Sequence, residues 1–190
     1  MDRVFVEDKD FERIDYTTTA LPKGEYEGCV FKSCNFSGVS LVGSTFAECE
    51  FIDCNLSMAN LAEVTLNDVQ FTGCKMLGLR FDSCNEFLFD VSFDRCALNF
   101  CSFYKRKVRK VTFRNCSLLE ADFTEADLTG AHFTDCDLNG TVFYMSNLEG
   151  TDFRFALNYS LDPALNKVKK AKFSMEGLPG LLSKFDIEVE

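Results

Sequence analysis

Between Asn35 and Leu61 a large apolar residue falls on every fifth position: Phe36, Leu41, Phe46, Phe51, Leu56 and Leu61. A helix repeats every 3.6 residues and a strand every two, so neither produces a period of five. The register reaches back to Phe11 and forward to Phe81, slips by two residues, resumes at Leu88 and runs on to Phe153. Every fourth centre is a phenylalanine, in the series Phe11, Phe31, Phe51, Phe71, Phe93, Phe113, Phe133 and Phe153. Side-chain choice that recurs every 20 residues in four columns predicts a chain that turns a corner every five residues. Its coils would stack like on like and pair as strands ~4.8 Å apart. The expected class is all-β. Eight of the 11 glycines, Gly28 and Gly73 among them, stand two residues after a centre, where a type II corner needs φ > 0.

The stretch "ADFTEADLTGAHF", residues 121–133, resembles the A(D/N)LXX signature of the pentapeptide-repeat family. The resemblance is strong over residues 26–153 and weaker over 11–25. It implies a right-handed quadrilateral β-helix. The expected division is a β-helix over residues 1–157, with the two-residue insertion within 82–87, followed by a capping or dimerisation segment over 158–190.

The rhythm breaks in three places. "DSCNEF", residues 82–87, carries the insertion. "YKRKVRK", residues 104–110, puts Arg106 where a small inward residue belongs. An unpaired buried guanidinium is costly, so the backbone is expected to distort there and turn Arg106 outward. Asp82, Glu86, Lys105, Arg106, Lys107, Arg109 and Lys110 would then share one irregular, basic face, either a tolerated bulge or a contact patch for a partner. The third break is the tail. "MEGLPGLLSKF", residues 175–185, predicts a short helix with Pro179 in its first turn, and residues 187–189, "IEV", predict a strand. Phe173, Leu178, Leu181, Leu182, Phe185, Ile187 and Val189 would cap the open end of the coil. The tail also resembles that of the quinolone-resistance branch of the family, which implies an end-to-end homodimer through these residues.

Ten cysteines occur, six of them in one column: Cys34, Cys54, Cys74, Cys96, Cys116 and Cys136. A linear ladder does not converge on a metal, and parallel Cβ vectors do not suit a disulfide. The cysteines therefore read as small buried hydrophobes, with no metal and no cofactor. His132 falls on an outward position without a partnered nucleophile, and the filled inward columns leave no cavity. No catalytic residue is assigned. The charged opening residues do not resemble a signal peptide and no run of 18 apolar residues occurs, so a soluble, cytoplasmic protein without membrane contact is expected.

A formal net charge of −10 disfavours direct binding to nucleic acid. The charge is banded. Residues 33–74 hold five acids and no Lys or Arg, residues 75–114 nine basic and four acidic residues, and residues 115–153 eight acids and no Lys or Arg. The eight are Glu120, Asp122, Glu125, Asp127, Asp135, Asp137, Glu149 and Asp152. Spread over two coils they supply four charges per coil, against roughly three per ~4.8 Å of duplex DNA. The resemblance to the quinolone-resistance branch implies that such a section imitates DNA towards a type II topoisomerase, DNA gyrase or topoisomerase IV. The alternative is a scaffold or general protein-interaction rod without topoisomerase activity.

Overall fold

The computed structural model describes residues 3–185 and Ile187. The backbone winds as a right-handed four-sided β-helix, and each side can be named by the residue it points inward. On the Phe31 side seven strands, from Asp10–Glu12 to His132–Thr134, form one parallel sheet. On the Phe46 side Val4–Glu7, Gly24–Glu27, Thr45–Ala47 and Thr65–Asn67 form a second. The Phe36 and Leu41 sides are joined by single bridges such as Asn35↔Asn55 and Ser40↔Asn60. Partners lie 20 residues apart, as in Phe31↔Phe51, and 22 apart across the insertion, as in Phe71↔Phe93.

The five-residue spacing becomes a core of ring columns. Phe93, Phe113 and Phe133 stack at 5.1 and 4.9 Å, within 3° of parallel. Neighbouring columns meet edge to face, as Phe113 and Phe123 do at 5.9 Å and 80°. Such pairs add roughly 0.5–1.5 kcal/mol each beyond the area they bury.

The corners are of two kinds. At one, the chain closes a type II turn: the Val39 N–H donates to the Phe36 carbonyl at 3.0 Å, and the Ala126 N–H to the Phe123 carbonyl at 3.0 Å. At the corners after the Phe31 column, Ser33, Asp53 and Asn115 also have positive φ, but a cysteine follows instead of a turn hydrogen bond. The Cys54 thiol donates to the Phe31 carbonyl and the Cys74 thiol to the Phe51 carbonyl, each at 3.2 Å. Cys34 through Cys96 of the ladder thus tie their coils to the one before, whereas the Cys116 and Cys136 thiols donate to Arg114 and Thr134 of their own coil. All ten thiols are buried and free, and burial pushes the Cys49 and Cys101 thiols up to about 12. Gly73 has φ +65°, and a Cβ there would lie 2.3 Å from an Asp53 carboxylate oxygen.

The position before a centre favours Asp or Asn for a local reason. The Asp122, Asp127, Asp137 and Asp152 carboxylates accept the backbone N–H two residues on, at 2.8–3.1 Å, as Asn35 and Asn55 also do.

Two expectations at the waist are corrected. The register does not resume at Leu88, which sits at φ +57° and is exposed, whereas Phe89 turns partly inward and the columns recover at Phe93. Nor does Arg106 turn outward. It is 4% exposed, and its backbone keeps the regular corner, with its N–H on the Phe103 carbonyl at 2.9 Å. The inserted loop leaves the carbonyls of Cys84 and Asn85 without a backbone donor among the described residues. The Arg106 guanidinium donates to those of Phe81, Cys84 and Asn85 and lies 4.9 Å from the Phe89 ring centre. A charge that was expected to be expelled is solvated by the loop itself.

The coil path continues past residue 157. Asn147↔Lys167 and Asp152↔Lys172 still bridge, and Phe173 stacks on Phe153 at 5.4 Å and 4°. Asn166 fills a small inward position, accepting the Ser146 N–H and donating to the Phe143 carbonyl. The tail helix is shorter than residues 175–185: only Pro179–Leu182 is α-helical, with Pro179 in its first turn, and a 3₁₀ turn follows at Ser183–Phe185. Gly180 brings its backbone directly onto Tyr159, leaving no room for a Cβ. Of the strand expected at residues 187–189, only Ile187 lies within the described residues, and it is exposed.

Candidate partner-binding surface

The eight acids of residues 115–153 are carried on all four sides of the coil rather than on one. Three are engaged by cations. Arg109 holds Asp127 at 2.6 Å, Lys105 lies 3.5 Å from Glu125, and Arg154 and Lys172 approach Asp152 at 2.8 and 3.7 Å. Asp152 is also buried, and its hydrogen bond from Arg154 brings its carboxyl down to about 2. Partial burial opposes ionisation of Asp127, but hydrogen bonds from Thr129 and Arg109 still hold its carboxyl below the usual range. Asp127 and Asp152 are structural members of the coil, whereas Glu125 forms only an exposed surface pair.

Glu120, Asp122, Asp135, Asp137 and Glu149 have no ion-pair partner among the described residues. Asp137 lies on the Phe36 side, and Asp135 and Glu120 flank it at the two corners. Beside them stand two exposed apolar residues absent from the sequence reading, Phe155 and Leu157. The Asp135 N–H donates to the Phe155 carbonyl, and the Asn158 amide holds Asp137 at 2.8 Å, so the two groups form one continuous patch. Phe155 and Leu157 each occupy a recognisable outward slot of the repeat, so that slot together with an apolar side chain was the available signal.

Lys107, Arg109 and Lys110 stand on the Phe46 side and its corner, where Lys107 pairs with Glu86 and Arg109 with Asp127; Lys105 pairs with Glu125 at the preceding corner, and Arg106 alone is internal. Asp82 is held by Arg80 through two hydrogen bonds. In the tail, Phe173, Leu181 and Leu182 are partly buried, Leu178 and Phe185 are exposed, and Val189 lies outside the described residues. Among the described residues no group of three His, Cys, Asp or Glu side chains could hold a metal ion. Among the described residues no helix is long and apolar enough to cross a membrane.

Residues 44–114 and 86–162 match the family model described as the pentapeptide repeat region. No curated protein sequence matches the chain. The fold is similar to that of a trypsin-treated variant of QnrB1, a plasmid-mediated fluoroquinolone resistance protein. That comparison has 16% identity, covers 99% of this chain and 98% of that one, and gives a TM-score of 0.63. A second trypsin-treated QnrB1 variant gives 17% identity over the whole of both chains and a TM-score of 0.61. HetL of the cyanobacterium Nostoc sp. strain PCC 7120, a pentapeptide repeat protein involved in heterocyst differentiation regulation, covers 90% of this chain and 86% of its own at 17% identity, with a TM-score of 0.45.

Proposed function

We propose, since the chain belongs to the pentapeptide-repeat family, that it is a non-enzymatic binding protein whose acidic coils engage a basic protein surface. The observation that carries this reading is the patch of Asp135, Asp137 and Glu120 with Phe155 and Leu157, where charge and apolar area are both free for a partner. Five unpaired acids over two coils compare with roughly six charges on the same length of duplex DNA. The reading therefore extends to imitation of DNA, and the resistance role of QnrB1 supplies the first partner to test, the DNA-binding saddle of gyrase or topoisomerase IV.

The decisive substitutions are Glu120→Lys, Asp135→Lys and Asp137→Lys together. Asp127→Lys is a poor probe because Asp127 already answers Arg109. In a supercoiling assay with purified gyrase, the wild-type chain should inhibit and the triple variant should need at least about tenfold more protein for the same effect. Equal inhibition by both would remove the acidic coils from the mechanism. Absence of inhibition by either would remove gyrase and leave a general interaction rod, a reading that the backbone-capping role of Asp122 and Asp137 also favours.

A further inference from the structure

The Phe46 side is continuous from one end of the coil to the other. Past its four strands and the inserted loop it continues through the bridges Lys107↔Asp127, Asp127↔Asn147 and Asn147↔Lys167. Its outward positions divide by sign. The first half, with the corner that follows it, carries Glu7, Asp8, Glu25, Glu27, Glu48 and Asp68, and the loop adds Glu86 and Asp90. The second half opens with Lys107, Arg109 and Lys110 and closes with Lys167, Lys169 and Lys170. Between those two basic rows stand Asp127 and Glu149, beside the small Thr129, Gly130 and Gly150. The cations nearest the acidic half, Arg3, Lys9 and Lys23, lie at its edges, and Arg3 faces Glu25 at 3.8 Å.

Apolar side chains are exposed at the two ends and the middle of the same side. Phe5 is 60% exposed at the first coil, Leu165 is 50% exposed at the corner entering the last, and Phe87, at the tip of the inserted loop, is 78% exposed. Arg106 anchors that loop from inside by three carbonyls, so the tip is a built feature of the side.

A surface that is acidic in one half and basic in the other complements itself when turned end for end about a two-fold axis through its middle. We infer that two copies of this chain pair side by side and antiparallel along the Phe46 side. In that register Glu7 and Asp8 oppose Lys167, Lys169 and Lys170 of the second copy. Asp68 opposes Lys107, Arg109 and Lys110, Phe5 comes beside Leu165, and the Phe87 tip meets its own copy on the axis. Like charges meet where Glu25 and Glu27 oppose Glu149, where Glu48 opposes Asp127, whose charge Arg109 already holds, and on the axis, where Asp90 and Glu86 come near their own copies, Glu86 already held by Lys107. From Val6 to Val168 the side is eight coil steps, about 38 Å long at ~4.8 Å each. A strip of that length and roughly 10 Å width falls below the ~800 Å² per partner of a tight complex, so the dimer should be weak and salt-sensitive. The inference is independent of the topoisomerase reading, which uses the Phe36 side.

Sedimentation equilibrium of the full chain tests the pairing at about 50 mM and about 500 mM NaCl, where screening differs several-fold. The wild type should dimerise at low salt and dissociate at least tenfold more readily at high salt. One variant, Lys167→Glu with Lys169→Glu and Lys170→Glu, and a second, Glu7→Lys with Asp8→Lys, should each be monomeric at low salt. Their equimolar mixture should regain a heterodimer, because both end contacts are then complementary again. Unchanged circular dichroism of each variant separates lost pairing from lost folding. A wild type that is monomeric at low salt overturns the inference, as does a mixture that stays monomeric. So does a dimer that survives both reversals but is lost in Leu178→Asp with Phe185→Asp, which would place the pairing at the tail.

Discussion

Arg106 and Ala126 occupy the same inward slot on successive coils, and the contrast between them separates the waist from the coils that follow. Ala126 sits in a regular coil where the carbonyls beside the slot already accept backbone N–H groups, as Arg106's does from Asp127 and Phe123's does from Ala126. Arg106 sits under an inserted loop where the Cys84 and Asn85 carbonyls have no such neighbours, while Phe81's keeps its turn bond from the Cys84 N–H and takes the guanidinium as a second donor. The slot itself has no fixed polarity. What it accepts depends on whether the adjacent coil has spare acceptors.

The largest effect should come from forcing the waist's chemistry into the regular coil. Ala126→Arg buries a guanidinium without acceptors and should cost at least about 4 kcal/mol, enough to abolish a cooperative unfolding transition in urea. A variant with near wild-type stability would mean that the regular coil opens as readily as the waist, and the contrast would fail. The reverse change, Arg106→Ala, strands the Cys84 and Asn85 carbonyls and empties the loop's interior. A loss of about 3 kcal/mol is expected, with new thermolysin cleavage near Phe87 while the rest of the coil stays protected.

A smaller effect distinguishes acids that build the coil from acids that are free. The folded-state pKa of Asp152 is about 2, below its ordinary 3.8, because Arg154 and Lys172 favour the carboxylate. A depressed carboxyl stabilises the fold above about pH 4, and that contribution fades as pH falls towards 2. Asp152→Asn should therefore lose roughly 1–2 kcal/mol at pH 7 and show a flatter stability profile between pH 4 and 2, read by urea unfolding at each pH. Asp135 has no ion-pair partner among the described residues, so Asp135→Asn should leave stability at pH 7 unchanged. The smallest effect has the opposite sign: Leu88→Gly relieves a left-handed residue in an exposed position and should raise stability by about 0.5–1 kcal/mol in thermal melts.

The period of five was legible in the sequence because residue spacing translates directly into side-chain direction in an extended coil. Phe31, Phe51 and Phe71 stack as the spacing requires, at 4.8 and 5.2 Å. The corner glycines were legible for the same reason, since a positive φ leaves a mark on residue choice. Arg106 was misread because its acceptors belong to residues 21 to 25 positions earlier, in a loop whose shape no period describes. Leu88 was misread because counting through an insertion assumes that the chain spends its extra residues before the next centre, whereas the loop spends them throughout. Of the acidic site, the number of charges could be read from the chain. Their pairing could not, because Asp127 meets Arg109 and Asp152 meets Lys172 across the gap between coils.

The ring columns make neighbouring coils interchangeable in length and in the inward surface they offer above and below. Removing one whole repeat, such as residues 119–138, would rejoin Leu118 to the residue that follows Leu138 with the same side facing in. The rod would become one storey shorter and nothing inside it would need to be redesigned. Duplication works the same way, so the distance between the charged girdles can be changed in increments of ~4.8 Å. Evolution can therefore adjust the molecule's reach towards a partner by copying or dropping twenty-residue units, while the chemistry at each level stays as it was.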